Sequence, residues 1–312
     1  MNIFDKILQD EIFLQDPPVL VDIGAATRLC GKWSVIGKYS VCIAFDPDLR
    51  QMDYIEKEDS RFRRLCFFPQ LVHDSINGEV DFYLTASPEC SSCLEPDTER
   101  LRNWNIAPFF QVTERRRMKS VTLPEVMRRL NLARIDALKS DSQGMDLRLL
   151  ASLDETVRQN ILALEVEPGL IDAYKGEDKF WMLLEYMGKT GGFRMSDCRV
   201  EQLRYLPAAV RDRYFTGIRG RLVNTLLPGS PGWCETAFLN DYSKIELTER
   251  NCRLGWIMAM IDRQYGFALE LAGRGEERFG KPIYRELAAC TLKKMPFWRP
   301  VLRKCCRKFL KF

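Results

Sequence analysis

Histidine is the scarcest chemical group in this chain: 312 residues hold one, His73. With no second imidazole beside it, a histidine-ligated zinc site lacks its ligands. His73, placed after a strand-like run, reads as a structural or surface residue rather than a catalytic one. No stretch of about 18 or more uncharged apolar residues occurs, which argues against a membrane-spanning helix. Residues 1–17 carry several acids and no long apolar run, unlike a secretory signal. The 11 cysteines are odd in number and scattered, as expected of reduced thiols in the cytoplasm rather than of a disulfide scaffold. Cys90 and Cys93 have redox or zinc spacing, but no second pair lies at a fitting distance, so they read as two loop thiols and no metal site is expected. Internal repeats and low-complexity segments are also missing.

Glycine is short where two nucleotide motifs need it. Gly188-Lys189-Thr190 looks like the end of a phosphate-binding loop, yet the first glycine of that motif would fall at Leu183 inside a helix-like run. Gly188 therefore reads as a helix C-cap. A dinucleotide fingerprint needs three glycines in the first strand-to-helix turn so that a pyrophosphate can reach the helix N-terminus. Here the turn runs Gly24, Ala25, Ala26, Thr27, Arg28, which removes most support for hydride chemistry.

Charge is unevenly spread. Residues 289–312 hold eight Lys or Arg and no acid, so against an overall +4 the rest of the chain carries −4. An acidic body with a basic end is a poor nucleic-acid enzyme, whose positive charge usually lines a binding face. Within that end, apolar residues from Val301 to Leu310 recur at helical spacing opposite Arg303, Lys304, Arg307 and Lys308. This predicts a basic amphipathic helix within 299–312, suited either to an anionic membrane surface or to docking on the body. The expected location is cytoplasmic, with membrane association through that helix as one of its two readings.

What the chain does have is a 46% hydrophobic composition, enough for a substantial core, and an alternation of apolar runs with helical segments from Pro18 to about Val200. That pattern predicts an α/β fold with a mostly parallel, doubly wound sheet covered on both faces. Strands are expected at 18–24, 40–46, 64–72, 79–86, 134–140, 161–167 and 192–199, and helices at Leu123–Leu130, Met145–Leu153 and Leu254–Leu271. Residues 87–102 read as a long loop near the carboxyl edge of the sheet. After about Leu206 the alternation stops, so the expected organisation is an N-terminal segment (1–17), a sheet domain (18–205) and a mainly helical extension (206–312).

The first two strands end in acids, Asp22 and Asp46, and their spacing is about one βαβ step. Strand-end carboxylates on one edge of a parallel sheet suit a nucleotide-type cofactor. S-adenosylmethionine needs less glycine than a dinucleotide, and Asp46 stands where a carboxylate would accept both ribose hydroxyls. Asp22 would contact the methionine end, directly or through water, and Gly24 would let the backbone approach.

Later segments extend the pattern in order: Asp81-Phe82-Tyr83-Leu84-Thr85, Ser91 to Pro96, Ser120 to Leu123, Ile135 to Asp146 and Leu164-Glu165-Val166-Glu167. Together they resemble the FkbM family of S-adenosylmethionine-dependent methyltransferases over roughly Val19 to Val200, most specifically through Lys-x-Asp-x-Gln-Gly-x-Asp at 139–146. The resemblance implies a Rossmann-like class I methyltransferase sheet and O-methylation of a hydroxyl on a sugar, glycan or related small molecule. It also implies a cofactor site of Asp22, Gly24, Ala25, Ala26, Asp46, Pro47 and Asp141. Asp141, Glu165 and Glu167 are the candidate bases, in that order, because a hydroxyl acceptor must lose its proton. The family's first turn usually continues Asn-x-Gly where this chain has Ala26 and Arg28. A second reading is therefore a catalytically inactive, methyltransferase-like binding or scaffolding module in glycan assembly.

Overall fold

The computed structural model describes residues 2–25, 29–48, 50 and 61–296, which leaves the expected basic helix of 299–312, and with it Ala26 and Arg28, outside the described residues. Strands β1 (Val19–Ile23) and β2 (Val41–Phe45) are short runs of β-branched, aliphatic and aromatic side chains, buried on both faces as a central parallel strand must be. They are followed by β3 (Arg64–Phe68), β4 (Leu71–Val72), β5 (Gly78–Thr85), β6 (Val112–Val121), β7 (Ala137–Ser140), β8 (Ala163–Val166), β9 (Phe193–Leu203) and β10 (Ser230–Asn240). The main sheet runs β3-β2-β1-β7-β8-β10-β9. All of its strands are parallel except β10, which lies antiparallel between β8 and β9. The chain builds outward from β1 to β3, then crosses back to start β7 on the other side of β1. The switch point therefore falls between β1 and β7, where an open α/β sheet leaves a crevice at its carboxyl edge. A second sheet, β4-β6-β5, is inserted before β7.

One sheet face is packed by the helices Leu123–Leu130, Asp146–Ala151 and Phe180–Thr190, through Leu123, Val126, Leu149, Leu150 and Leu183. The other face is packed by the N-terminal helices Ile3–Leu8 and Glu11–Gln15, the 3-10 segment Gly31–Tyr39 and the helices Glu249–Ile261, Tyr265–Phe279 and Ile283–Lys294. Their Trp33, Trp256, Tyr284 and Leu254 join Leu20, Ala44 and Ala163 of the sheet in one cluster. Arg250 locks this layer to the sheet by a bidentate pair with the buried Asp136, at 2.7 and 2.8 Å, while Asp136 also accepts from the Val19 amide at 2.8 Å. The C-terminal helices thus form half of the core rather than an appendage.

Several expected boundaries move. The sheet does not end near 205, because β10 pairs with both β8 and β9. The expected strand 64–72 is two strands in different sheets, broken at Pro69, which has no N–H to carry a ladder onward. The run Leu254–Leu271 is two helices, because Arg263 takes a left-handed conformation (φ 57°) between them. Gly188 lies within the helix Phe180–Thr190, and the C-cap is Gly191 at φ 65°. Within the expected helical extension, residues 208–226 form two helices, Ala208–Tyr214 and Gly217–Leu226, but Ser230–Asn240 is strand β10. No helix of the described residues is long and apolar enough to cross a membrane.

Candidate functional site

A cavity of about 620 Å³ opens at the carboxyl edge, at the switch point. Its floor is Gly24 after β1, Asp46 and Pro47 after β2, Lys139 and Asp141 at the end of β7, and Glu167 after β8. The strands cross so closely here that a Cβ on Gly24 would lie 2.2 Å from the Asp141 carbonyl oxygen, and Gly24 holds φ +78°. Only glycine meets both conditions. The Gly24 and Ala25 amides both donate to the Phe45 carbonyl, at 3.0 and 3.1 Å, and the Asp141 amide donates to Ile23 O at 3.0 Å, so the first turn is tied to both neighbouring strands.

The loop from Ser140 to Asp146 is organised by its last residue. Asp146 is buried and accepts from Ser140 Oγ (2.6 Å), Ser142 Oγ (2.6 Å), the Ser142 amide (3.0 Å) and the Glu167 amide (3.2 Å). One carboxylate thus sets the ends of β7 and β8 together, and Asp146 is a positioning residue. Gln143 sits at φ 55° and turns its amide over the cavity, where Nε2 donates to Asp141 Oδ1 at 2.5 Å and Oε1 accepts from Tyr174 at 2.8 Å. Gly144, at φ +106°, passes so near Glu177 that a Cβ would come within 2.9 Å of it. Glu177 in turn holds the Ala173 amide and Lys179 Nζ, at 2.6 and 2.5 Å, and Arg148 grips Asp178. These anchors hold Gly169–Glu177 as a wall that meets Ser87–Ser91 where the Tyr174 hydroxyl donates to Cys90 O at 2.8 Å.

At the floor and just below it, the strand register lines up Asp22, Lys139 and Glu165 across β1, β7 and β8. Asp22 is fully buried. Its Oδ2 accepts from the Cys30 amide at 2.5 Å, while Oδ1 has no hydrogen-bond partner and lies 3.6 Å from Lys139 Nζ. Glu165 pairs with Lys32 at 2.9 Å, and Lys32 pairs also with Asp262 at 2.6 Å. Burial alone would push the Lys139 ammonium down, but the carboxylates of Asp22, Asp141, Glu167 and Glu165 outweigh it and hold Lys139 well above the usual lysine value.

The acids that face the cavity behave oppositely. Burial raises Asp46 to about 7, with the Asp48, Asp141 and Asp22 carboxylates adding to it against a hydrogen bond from the Asp48 amide. Asp141 is raised by burial to about 6, restrained by Lys139 and by the Gln143 amide. Glu167 is raised to about 9 by burial and by the charge of Asp141, and its carboxyl has no hydrogen-bond partner among the described residues. Three carboxyl groups crowded into one cavity are each easier to ionise when a cation enters.

The structure thus brings Gly24, Asp46, Pro47, Asp141 and Glu167 together around one space. It places three of the other expected residues elsewhere. Asp22 lies below the floor, its Oδ2 held by the Cys30 amide and its Oδ1 3.6 Å from Lys139 Nζ, so it shapes the turn rather than lining the cavity. Ala25 is 1% exposed and packs into the core. Glu165 points along the ion-pair row to Lys32 and is not a cavity base. Ala26 falls outside the described residues. His73 stays off the cavity, its Nδ1 accepting from the Ser75 and Ile76 amides. Cys90 lines the cavity, and Cys93 packs on Met145. Sequence reasoning missed the wall residues Tyr174 and Trp233 and the hub Asp146. Asp146 alone carried a signal, as the final acid of the 139–146 stretch.

The residues present suit S-adenosylmethionine on two counts: an acidic cavity for a sulfonium and a strand-end carboxylate for a diol. Compared with models of known protein families the chain matches none, and compared with curated proteins it matches none either.

Proposed function

We propose that the protein is an S-adenosylmethionine-dependent O-methyltransferase of the FkbM type, acting on a hydroxyl of a sugar, glycan or related small molecule. The observation that carries this reading is the convergence of Asp46, Asp141 and Glu167 on one cavity at the switch point. Two features favour it over dinucleotide chemistry: the single-glycine turn, and the antiparallel β10 where a dinucleotide-binding sheet continues parallel. Asp46 and Pro47 would hold the ribose, and the Gly24 turn would take the methionine end.

When bound, S-adenosylmethionine supplies an electrophilic methyl on a sulfonium. Asp141 would supply counter-charge, while the wall from Gly169 to Glu177 would limit water and align the acceptor. A hydroxyl acceptor would exchange its O–H bond for a bond to the methyl, whose bond to sulfur breaks to leave S-adenosylhomocysteine, and its proton would need a base. Asp141, with the lower pKa of the two floor acids, is the base that is ionised at neutral pH, and Gln143 fixes its orientation. Glu167, protonated at neutral pH, donates a hydrogen bond to the acceptor.

A second reading, a binding module without turnover, is favoured by one feature: the Asp22 carboxylate is already engaged by the Cys30 amide and lies near Lys139. A structure grown with S-adenosylhomocysteine separates the two. The enzyme reading expects ribose hydroxyls on Asp46 and the sulfur near Asp141. No ligand in the cavity at millimolar concentration would favour the module.

A further inference from the structure

Two helices between β9 and β10 turn apolar side chains outward. In Ala208–Tyr214, Val210 and Tyr214 stand one turn apart. In Gly217–Leu226, Ile218, Leu222 and Leu226 recur every fourth residue, so each set shares one helix face. All five are exposed: Ile218 to 74%, Tyr214 and Leu226 to 55% each. Among the described side chains of these helices, only Val223 is buried. Solvent-facing helices ordinarily show polar residues there, and several large apolar side chains on neighbouring turns mark a docking surface.

Charge says what docks. The sequence of 208–226 holds Arg211, Arg213, Arg219 and Arg221 against one acid, Asp212, which Arg211 already pairs at 3.0 Å. The Arg213 guanidinium lies 5.1 Å from the Tyr214 ring centroid. Aliphatic side chains with an interfacial tyrosine and arginines, almost free of carboxylates, match a surface of hydrocarbon beneath anionic head groups. A second protein would be expected to offer carboxylates to these arginines, but a second copy of this chain would bring its own arginines against them.

Position adds to this. Leu203, at the end of β9 and on the cavity lining, leads straight into the segment. The Asn105 amide donates to Arg204 O at 2.9 Å and the Leu206 amide to Asn103 O at 2.7 Å, which ties the loop carrying Ile106 and Phe109 to the same stretch. Ile106 and Phe109 line the cavity, and Trp104 meets Tyr205 edge to face at 5.3 Å. Residues 203–206 therefore join the cavity lining to the segment that carries the apolar helices.

We propose that the helices within 208–226 seat the protein on an anionic lipid bilayer with the cavity mouth facing the head groups. This goes beyond the methyl-transfer reading and does not depend on it, since it concerns a different surface. A head group projecting from the bilayer would meet the mouth at Phe109 and Ile106.

The test is co-sedimentation of the full chain with vesicles of phosphatidylcholine alone, or mixed equally with phosphatidylglycerol, at low and high salt. The expected result is retention on the mixed vesicles at low salt, weakened at least about tenfold by Ile218→Glu with Leu222→Glu. Thermal unfolding of that variant should match the parent, because both side chains are exposed. A full-length control replaces Arg303, Lys304, Arg307 and Lys308 by Gln. Two results would overturn the proposal: retention lost in the control but intact in the helix variant, or parent chains that ignore the vesicles and instead self-associate through Ile218 and Leu222 in sedimentation velocity. S-adenosylmethionine binding, measured separately on both proteins, should be unchanged by the helix substitutions, so failure of the cofactor reading leaves this result interpretable.

Discussion

Asp46 carries the sharpest consequence at the scale of a residue. Its carboxyl, like those of Asp141 and Glu167, holds its proton in the folded chain above the usual carboxylate range. The folded state therefore binds more protons than the unfolded one, and stability falls as pH rises. The loss begins near the unfolded carboxyl value of about 4 and runs through the folded values of about 6, 7 and 9. Melting temperature of the ligand-free protein should accordingly drop between pH 5 and about 9. Asp46→Asn removes one of the crowded charges and should flatten that curve, making the ligand-free variant more stable than the parent at pH 8. The same change should weaken S-adenosylmethionine at least about tenfold, since a charge-assisted pair of hydrogen bonds is lost. Gained stability with lost binding is an outcome that misfolding cannot imitate, and a thermal scan with and without ligand reads both.

Single turns decide the site at the scale of elements. Gly24→Ala puts a methyl on the Asp141 carbonyl at a backbone conformation that costs an alanine about 1–2 kcal/mol before any clash. Binding should be lost along with stability. Asp146→Ala strands two hydroxyls and two amides, so urea unfolding should show a loss of about 2–4 kcal/mol, whereas Asp146→Asn, keeping an acceptor, should lose less.

The same scale shows what was legible in the sequence. Strands β1, β2, β7 and β8 were legible because strands buried on both faces are rich in apolar residues, and the residues just after β2 and β7 are Asp46 and Asp141. Strand β6 did not, since its Glu114-Arg115-Arg116-Arg117 run is held by backbone pairing with β5 and by ion pairs such as Arg115 with Asp81. Strand β10 begins with Pro231 and Gly232, and its place between β8 and β9 is set by tertiary packing that no local pattern encodes. Asp22 and Glu165 looked like site residues for the same reason as Asp46. What removed them from the cavity was partners on other elements, Cys30, Lys139 and Lys32, which spacing along the chain does not reveal.

Across the whole molecule, the C-terminal helices belong to the sheet. Arg250 on that layer and Asp136 beneath β7 are both buried, so Arg250→Ala leaves an uncompensated carboxylate. The expected cost is about 3–5 kcal/mol in denaturant unfolding, with a single transition, because both layers share one core. A second transition at lower denaturant would mean that the helices fold apart from the sheet. The acidic cavity sits on this rigid frame, and we propose that it takes a sulfonium cofactor. Calorimetric titration of the full chain with S-adenosylmethionine, at neutral pH in two buffers of different ionisation enthalpy, tests that claim most directly. One saturable site with protons released on binding is expected, as the entering cation lowers the pKa of Asp46, Asp141 and Glu167. No binding heat in either buffer up to millimolar cofactor would contradict it.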